Sequence, residues 1–282
     1  MSALIGHFLL QLFGTRRAPL VLLLLAALAW TSGVPDYLVG TPELPRANAA
    51  DMALWAFNTV PFLVLGLGVG FLVLVGDFLP RSAARGTLAL TAVRSSGRRR
   101  WWTAQMLAFG IAAVVVAVVA MLLCLLVGLL RLPEPFGPGM PAAAFLRLAG
   151  TGVVPAGAGR VAVLAGIVLL VAAVLWVLAL VSAVVALRWP HPVVPVVVVL
   201  GWLLVELATG FPAAHDPPKW LLFDPFAHVR YGQYLGFASG GLLREGPHSP
   251  LIAAVLLVLE IALLVWWGAR AARRRDLPSA RS

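Results

Sequence analysis

The chain has 282 residues, of which 61% are hydrophobic and only 11% charged, with 21 basic against 11 acidic residues and a formal charge of +10. A soluble domain dresses its surface with about 25% charged residues, so a water-soluble fold is excluded. The mean hydropathy of +0.98 points to an integral membrane protein.

The first predicted element is short. Leu4, Ile5, Phe8, Leu9, Leu12 and Phe13 recur at helical spacing, with Leu10 the exception, and Ser2, His7 and Gln11 lie off the stripe. That pattern predicts an interfacial helix on the inner leaflet. Six apolar runs follow, at about 18–34, 52–76, 104–130, 161–187, 192–210 and 250–268. Each is long enough to address roughly 30 Å of hydrocarbon as a helix. None alternates as a barrel strand would. The expected fold is therefore an all-α polytopic membrane protein, one transmembrane domain over 1–282, closed by a basic cytosolic tail at 269–282. Arg16-Arg17, an apolar run and Ala27-Leu28-Ala29 also outline a secretory signal peptide. The amphipathic stripe before it favours a retained first span.

The arginines set a sidedness. With the N-terminus placed inside, 14 of the 21 basic residues fall in inner segments, among them Arg16, Arg17, Arg81 and Arg98–Arg100. Basic residues are retained on the cytoplasmic side, so both termini are expected there. Trp30 and Trp55 then sit at outer ends, and Trp101, Trp102, Trp189, Trp266 and Trp267 at inner ends, where indoles anchor at the headgroup level. In the second span, Pro61, Gly66, Gly68 and Gly70 allow bending and close helix contact.

The inner loop at 77–103 is too long for a simple turn. Pro80 ends the second span or opens a new turn, and Ser82 is placed to cap a short helix over about 83–94. Ser95-Ser96-Gly97 then breaks it, with Gly97 suited to a left-handed cap. Here the chain resembles the permease subunit of an ABC-2-type transporter. The likeness rests on Asp77, on Gly86-Thr87-Leu88, on Ser95 to Arg99, on six spans with an interfacial helix before them, and on Leu222-Phe223-Asp224-Pro225-Phe226 before the last span. The resemblance implies that the loop is a coupling helix docked on a separate ATPase. Its coupling residues would be Asp77, Arg85, Gly86, Thr87, Leu88, Thr91 and Arg94. It implies a second permease copy or homologue as partner, short re-entrant helices in the last outer loop, and a bacterial cytoplasmic (inner) membrane location.

Other features exclude or redirect chemistry. Lys219 is the only lysine and sits in Pro-Pro-Lys-Trp. A P-loop is therefore absent, and ATP and Mg would belong to the partner ATPase. The lone Cys124 lies in an apolar run, which excludes an internal disulfide and a Cys-rich metal site. No His-Glu-x-x-His or Gly-x-Ser-x-Gly occurs, so the chain itself is not expected to be an enzyme. Arg98–Arg100 abut a span and face lipid headgroups rather than nucleic acid. His215, His228 and His248 share an outer loop with Asp216 and Asp224, but their spacing matches no ligand motif, and no metal is expected.

Two acids fall inside spans. Glu206 lies near the outer end of the fifth and can snorkel or face a vestibule. Glu260 lies near the middle of the sixth, where a charge costs about 2.5–3.5 kcal/mol on insertion scales. Asn58, Thr59 and Ser182 are its candidate hydrogen-bond partners. Asn58, Glu206 and Glu260 are the candidate translocation-path residues. The function expected is export driven by the partner ATPase. The alternatives are an ATP-independent, proton-coupled carrier using Glu260, or a scaffold or maturation factor whose outer loop 211–249 holds a partner or metal.

Overall fold

The computed structural model describes residues 1–32, 47–57, 59–84, 97–132, 134–137, 139, 160–189, 191–210, 225–226 and 250–274. Among these the secondary structure is helical and contains no strand. The helices are α1 (Ser2–Phe13), α2 (Arg17–Thr31), α3 (Ala49–Ala56), a π-helical segment (Phe62–Val69), α4 (Gly70–Val75), α5 (Phe78–Ala84), α6 (Arg98–Arg131), α7 (Arg160–Arg188), α8 (Val193–Gly210) and α9 (Pro250–Arg274).

Among the described residues four stretches are long and apolar enough to cross a membrane: Phe62–Ser82, Arg98–Arg131, Val163–Arg188 and Ala253–Arg273. A fifth crossing is possible if α1 and α2, which meet at 65°, form one bent span, and Val193–Ala208 is a shorter apolar helix. The expected stripe on α1 is realised. Phe8 and Leu12 are buried, Leu4, Ile5, Leu9 and Phe13 lie against the core, and Leu10 is exposed. His7 and Gln11 meet on the other side, their Nε2 atoms 2.9 Å apart.

Contacts show which ends of the long helices lie together. Gly76, late in the second span, lies beside Ser182, late in α7, and Val196, early in α8. Arg98 at the start of α6 reaches Arg273 at the end of α9. At the opposite end Arg131 reaches Trp30, and Gly128 lies against Ala49. The arginine-bearing start of α6 and end of α9 therefore lie together, at the opposite end of α6 from Arg131.

The second span departs from the sequence expectation. Instead of one helix over 52–76, α3 stops at Ala56 and the membrane-length stretch runs from Phe62 to Ser82. The outer piece is set by a capping box. Asn48 Oδ1 accepts the Asp51 N–H at 3.0 Å, and the Asp51 carboxylate accepts the Asn48 N–H at 3.1 Å. The Asn48 amide also donates to the Gly137 carbonyl, and the Ala49 N–H to that of Pro135. The helix start is thereby fixed against the segment that follows α6.

Pro80 opens a new turn, the second of its two expected roles: it sits in the first turn of α5, where its missing N–H costs no intrahelical bond. Two further expectations are corrected nearby. Ser82 does not cap a new helix, because it lies inside α5 and its hydroxyl donates to the Phe78 carbonyl at 2.8 Å. Gly97 has φ 138° and ψ 151° and precedes α6 as its N-cap rather than closing a helix before it. That backbone region is open essentially to glycine alone.

Candidate coupling and translocation site

The arginine-rich end of the second span holds an ionic cluster. Arg17, at the first position of α2, donates from both terminal nitrogens to the two oxygens of Asp77, at 2.7 and 3.0 Å. A guanidinium fork matches a carboxylate in this way. Arg17 also donates to the Val73 carbonyl at 3.0 Å. Arg81, one helical turn beyond Asp77, places its Nε 2.9 Å from the same carboxylate. Asp77 thus ties the elbow between α1 and α2 to the end of the second span. The Arg17 and Asp77 side chains retain 36% and 17% exposure, so water screens the cluster in part.

An aromatic line runs beside this cluster. Phe8 of α1 meets Phe78 of α5 edge-on at 6.1 Å, and Phe78 meets Phe109 of α6 edge-on at 5.7 Å. Such pairs add to area burial. They carry the contact of the elbow into the centre of the bundle. Ser182 donates to the Gly76 carbonyl at 2.9 Å, binding α7 to the turn just before Asp77.

Small residues place the second span between two neighbours. Gly66 and Gly70 face α2, where an added Cβ would lie 3.3 Å from Leu28 and 3.3 Å from Val21. Gly68 faces the other way, and an added Cβ there would lie 2.7 Å from Leu203 and 3.4 Å from Phe226. Between them the backbone is π-helical, a widened winding that often marks functional sites.

Of the candidate path residues, Glu206 is 1% exposed. It therefore does not reach out to the surface of this chain as the snorkelling alternative requires. Its Oε1 accepts the Trp202 indole N–H at 3.2 Å, and Trp202 stands edge-on to Phe226 at 6.1 Å. Glu206, Trp202, Leu203, Gly68 and Phe226 form one neighbourhood where α8 meets the second span. Glu260 is half-buried on α9, with its Oε2 shielded. Two of its expected partners have their hydroxyls engaged with backbone: Ser182 with Gly76, and Thr59 with the Ala56 carbonyl at 2.8 Å. Asn58, Arg85, Gly86, Thr87, Leu88, Thr91 and Arg94 lie outside the described residues. So do His215, His228, His248, Asp216 and Asp224. Among the described residues no cluster of His, Cys, Asp and Glu could hold a metal ion.

Tryptophan roles divide. Trp30, Trp189, Trp266 and Trp267 are at least half exposed, as interfacial anchors should be. Trp101 and Trp102 are 2% and 0% exposed and are not anchors. The Trp102 indole donates to the Val265 carbonyl of α9 at 3.0 Å and fills the space above Gly268. Trp176 repeats the device, donating to Met106 at 3.0 Å over Gly110. Each pairs a large ring with the missing side chain of a neighbouring helix, and satisfies the indole where no water is at hand.

Sequence reasoning passed over Gln105. It is fully buried on α6, and among the described residues neither its Oε1 nor its Nε2 has a hydrogen-bond partner. The signal was present, since it is the only glutamine within a predicted span. No protein-family model and no curated protein matches the chain.

Proposed function

We propose that the chain is the membrane-spanning permease subunit of an ATP-driven exporter of the ABC-2 type. It would work as a pair with a second permease, each bound on the cytosolic face by a separate ATPase carrying ATP and Mg. The bacterial cytoplasmic membrane is the proposed location. The single observation that most supports this reading is the bidentate Arg17–Asp77 pair. It joins the elbow of the first two helices to the second span, eight residues before the segment 85–96 begins. In this reading 85–96 forms the coupling helix, with Asp77 at its root. A push on that helix would move the elbow and the second span as one body, because a charge-assisted fork resists shear better than a single bond. The glycine-lined second span and α8, with Glu206 at their contact, would then border the substrate path.

In this mechanism Asp77 is a positioning group and not a direct ATPase contact, since Arg17 and Arg81 occupy its carboxylate. The ATPase contacts fall to Arg85, Thr87, Leu88, Thr91 and Arg94. The test is affinity purification of the tagged chain in mild detergent from its native host, reading ATPase activity on the eluate. A nucleotide-binding protein should accompany the wild type and be lost with Gly86→Pro, which breaks a helix at that point by about 3 kcal/mol. If no such protein accompanies the wild type, the reading fails, and the proton-coupled alternative through Glu260 takes its place.

A further inference from the structure

Gln105 is fully buried, and among the described residues neither end of its amide has a partner. An unpaired amide is costly where no water reaches it. What keeps water out follows from its side of the helix. Phe109 stands one turn on from Gln105, so the two share a face of α6. The aromatic line from α1 arrives on that face, from Phe8 through Phe78 to Phe109. α1 itself packs on α6. Trp101, one turn before Gln105, is 2% exposed although it lies in the first turn of α6. These contacts place α1 over the face that carries Gln105.

This cover is lightly fastened. Of the 12 residues of α1 only Phe8 and Leu12 are buried. Among the described residues α1 makes no hydrogen bond or ion pair to another helix, and its side chains bond only to each other, His7 with Gln11. By contrast, α9 and α7 are pinned to α6 by indole bonds, from Trp102 to the Val265 carbonyl and from Trp176 to the Met106 carbonyl. α2, which meets α1 at 65°, is held at its start by the fork between Arg17 and Asp77. Motion of α1 therefore has a fixed pivot, formed by Gly14, Thr15 and Arg16 between the two helices. Elements with few buried apolar contacts are the first to open.

We infer that α1 is a hinged cover, which lifts from α6 about Gly14–Arg16 and admits water to Gln105. The amide sets the balance between the two positions. Lifting exposes Phe8 and Leu12, which favours the closed position. Hydration of both ends of the amide favours the open one. Methionine at 105 would remove the second contribution and keep the cover down. The inference needs no ATPase and no substrate, so it stands or falls apart from the transport reading.

The test uses the full-length protein with Cys124→Ala, purified in mild detergent, and reads the rate at which N-ethylmaleimide labels one added cysteine. Leu12→Cys lies on the covered side of α1. Val174→Cys, at a position 1% exposed on α7, reports opening of the bundle as a whole. Leu12→Cys should react faster than Val174→Cys. Adding Gln105→Met should slow Leu12→Cys by at least about fivefold, the equivalent of the smallest cost of an unpaired buried amide. Adding Gln105→Glu should speed it, because a carboxylate needs water more than an amide does. A monodisperse elution profile verifies each fold. The inference is overturned if Leu12→Cys reacts no faster than Val174→Cys, since α1 then opens only with the whole bundle. It is also overturned if Gln105→Met leaves the Leu12→Cys rate unchanged, or if both changes at 105 shift that rate in the same direction.

Discussion

Arg17 grips both oxygens of Asp77 across 60 positions of sequence, and in doing so fastens the start of α2 to the end of the second span. The pair is neither fully buried nor free in water, so its worth lies between that of a surface ion pair and that of a buried one. A double-mutant cycle with Arg17→Gln and Asp77→Asn should give a coupling energy of about 1–2 kcal/mol, measured by thermal unfolding in detergent. Arg81→Gln should cost less than Arg17→Gln, because it removes one contact and leaves the fork. Equal losses for the two arginines would show that the fork has no special standing.

Gly268 is required by Trp102. Any side chain at 268 meets the indole ring of Trp102, and that ring cannot move without surrendering its bond to Val265. Gly268→Ala should destabilise by about 2–3 kcal/mol, in the range for overfilled cores. Adding Trp102→Leu should cost less than the two single losses combined, because the smaller side chain vacates the contested space. Strict additivity in thermal unfolding would contradict the contact.

Gln105 presents the reverse case. A buried amide with neither end satisfied carries a desolvation cost of about 1–3 kcal/mol. Methionine has nearly the same length and no such demand. Gln105→Met should therefore raise the melting temperature of the purified protein. If it lowers the melting temperature, the amide is stabilising the fold in a way that the bonds around it do not account for.

Cys124 offers a direct route to topology. It is 1% exposed, so maleimide should leave it unlabelled in intact protein and label it after denaturation in SDS. Cys124→Ala then supplies a background free of thiols, since there is no second cysteine. In that background Ser2→Cys and Ser279→Cys should both react from the cytosolic side in inverted vesicles and be protected in intact cells. Labelling of one from each side would refute an even number of crossings.

Length and apolarity located most helices well. The expected 161–187 and 192–210 correspond to Arg160–Arg188 and Val193–Gly210. The stripe on α1 was legible because that helix mixes polar with apolar residues, and periodicity then reports which side is buried. Inside the spans every side is apolar, so the sequence cannot tell a face that meets lipid from one that meets protein. Trp101 and Trp102 read as lipid-facing anchors for this reason, although they pack inside the bundle. The start of α3 has a readable marker, Asn48 with Asp51 three residues on, and the break after α3 falls just before Pro61, but the surrounding hydrophobicity masks both. Asp77 was singled out as important, yet its engagement by Arg17 depends on a fold that brings together residues 60 apart.

α2 is held at its two ends by two different neighbours. Arg17 fixes its lower end to the second span, and at its upper end Arg131 of α6 donates to the Trp30 carbonyl at 2.8 Å and lies over the Trp30 ring at 5.3 Å. Between those points Val21, Leu25 and Ala29 are packed inward, and Leu20, Leu22 and Leu23 are exposed. A helix fastened at its two ends to different neighbours is a spacer between them: any relative shift of the second span and α6 along their length would have to be taken up by α2, as a tilt.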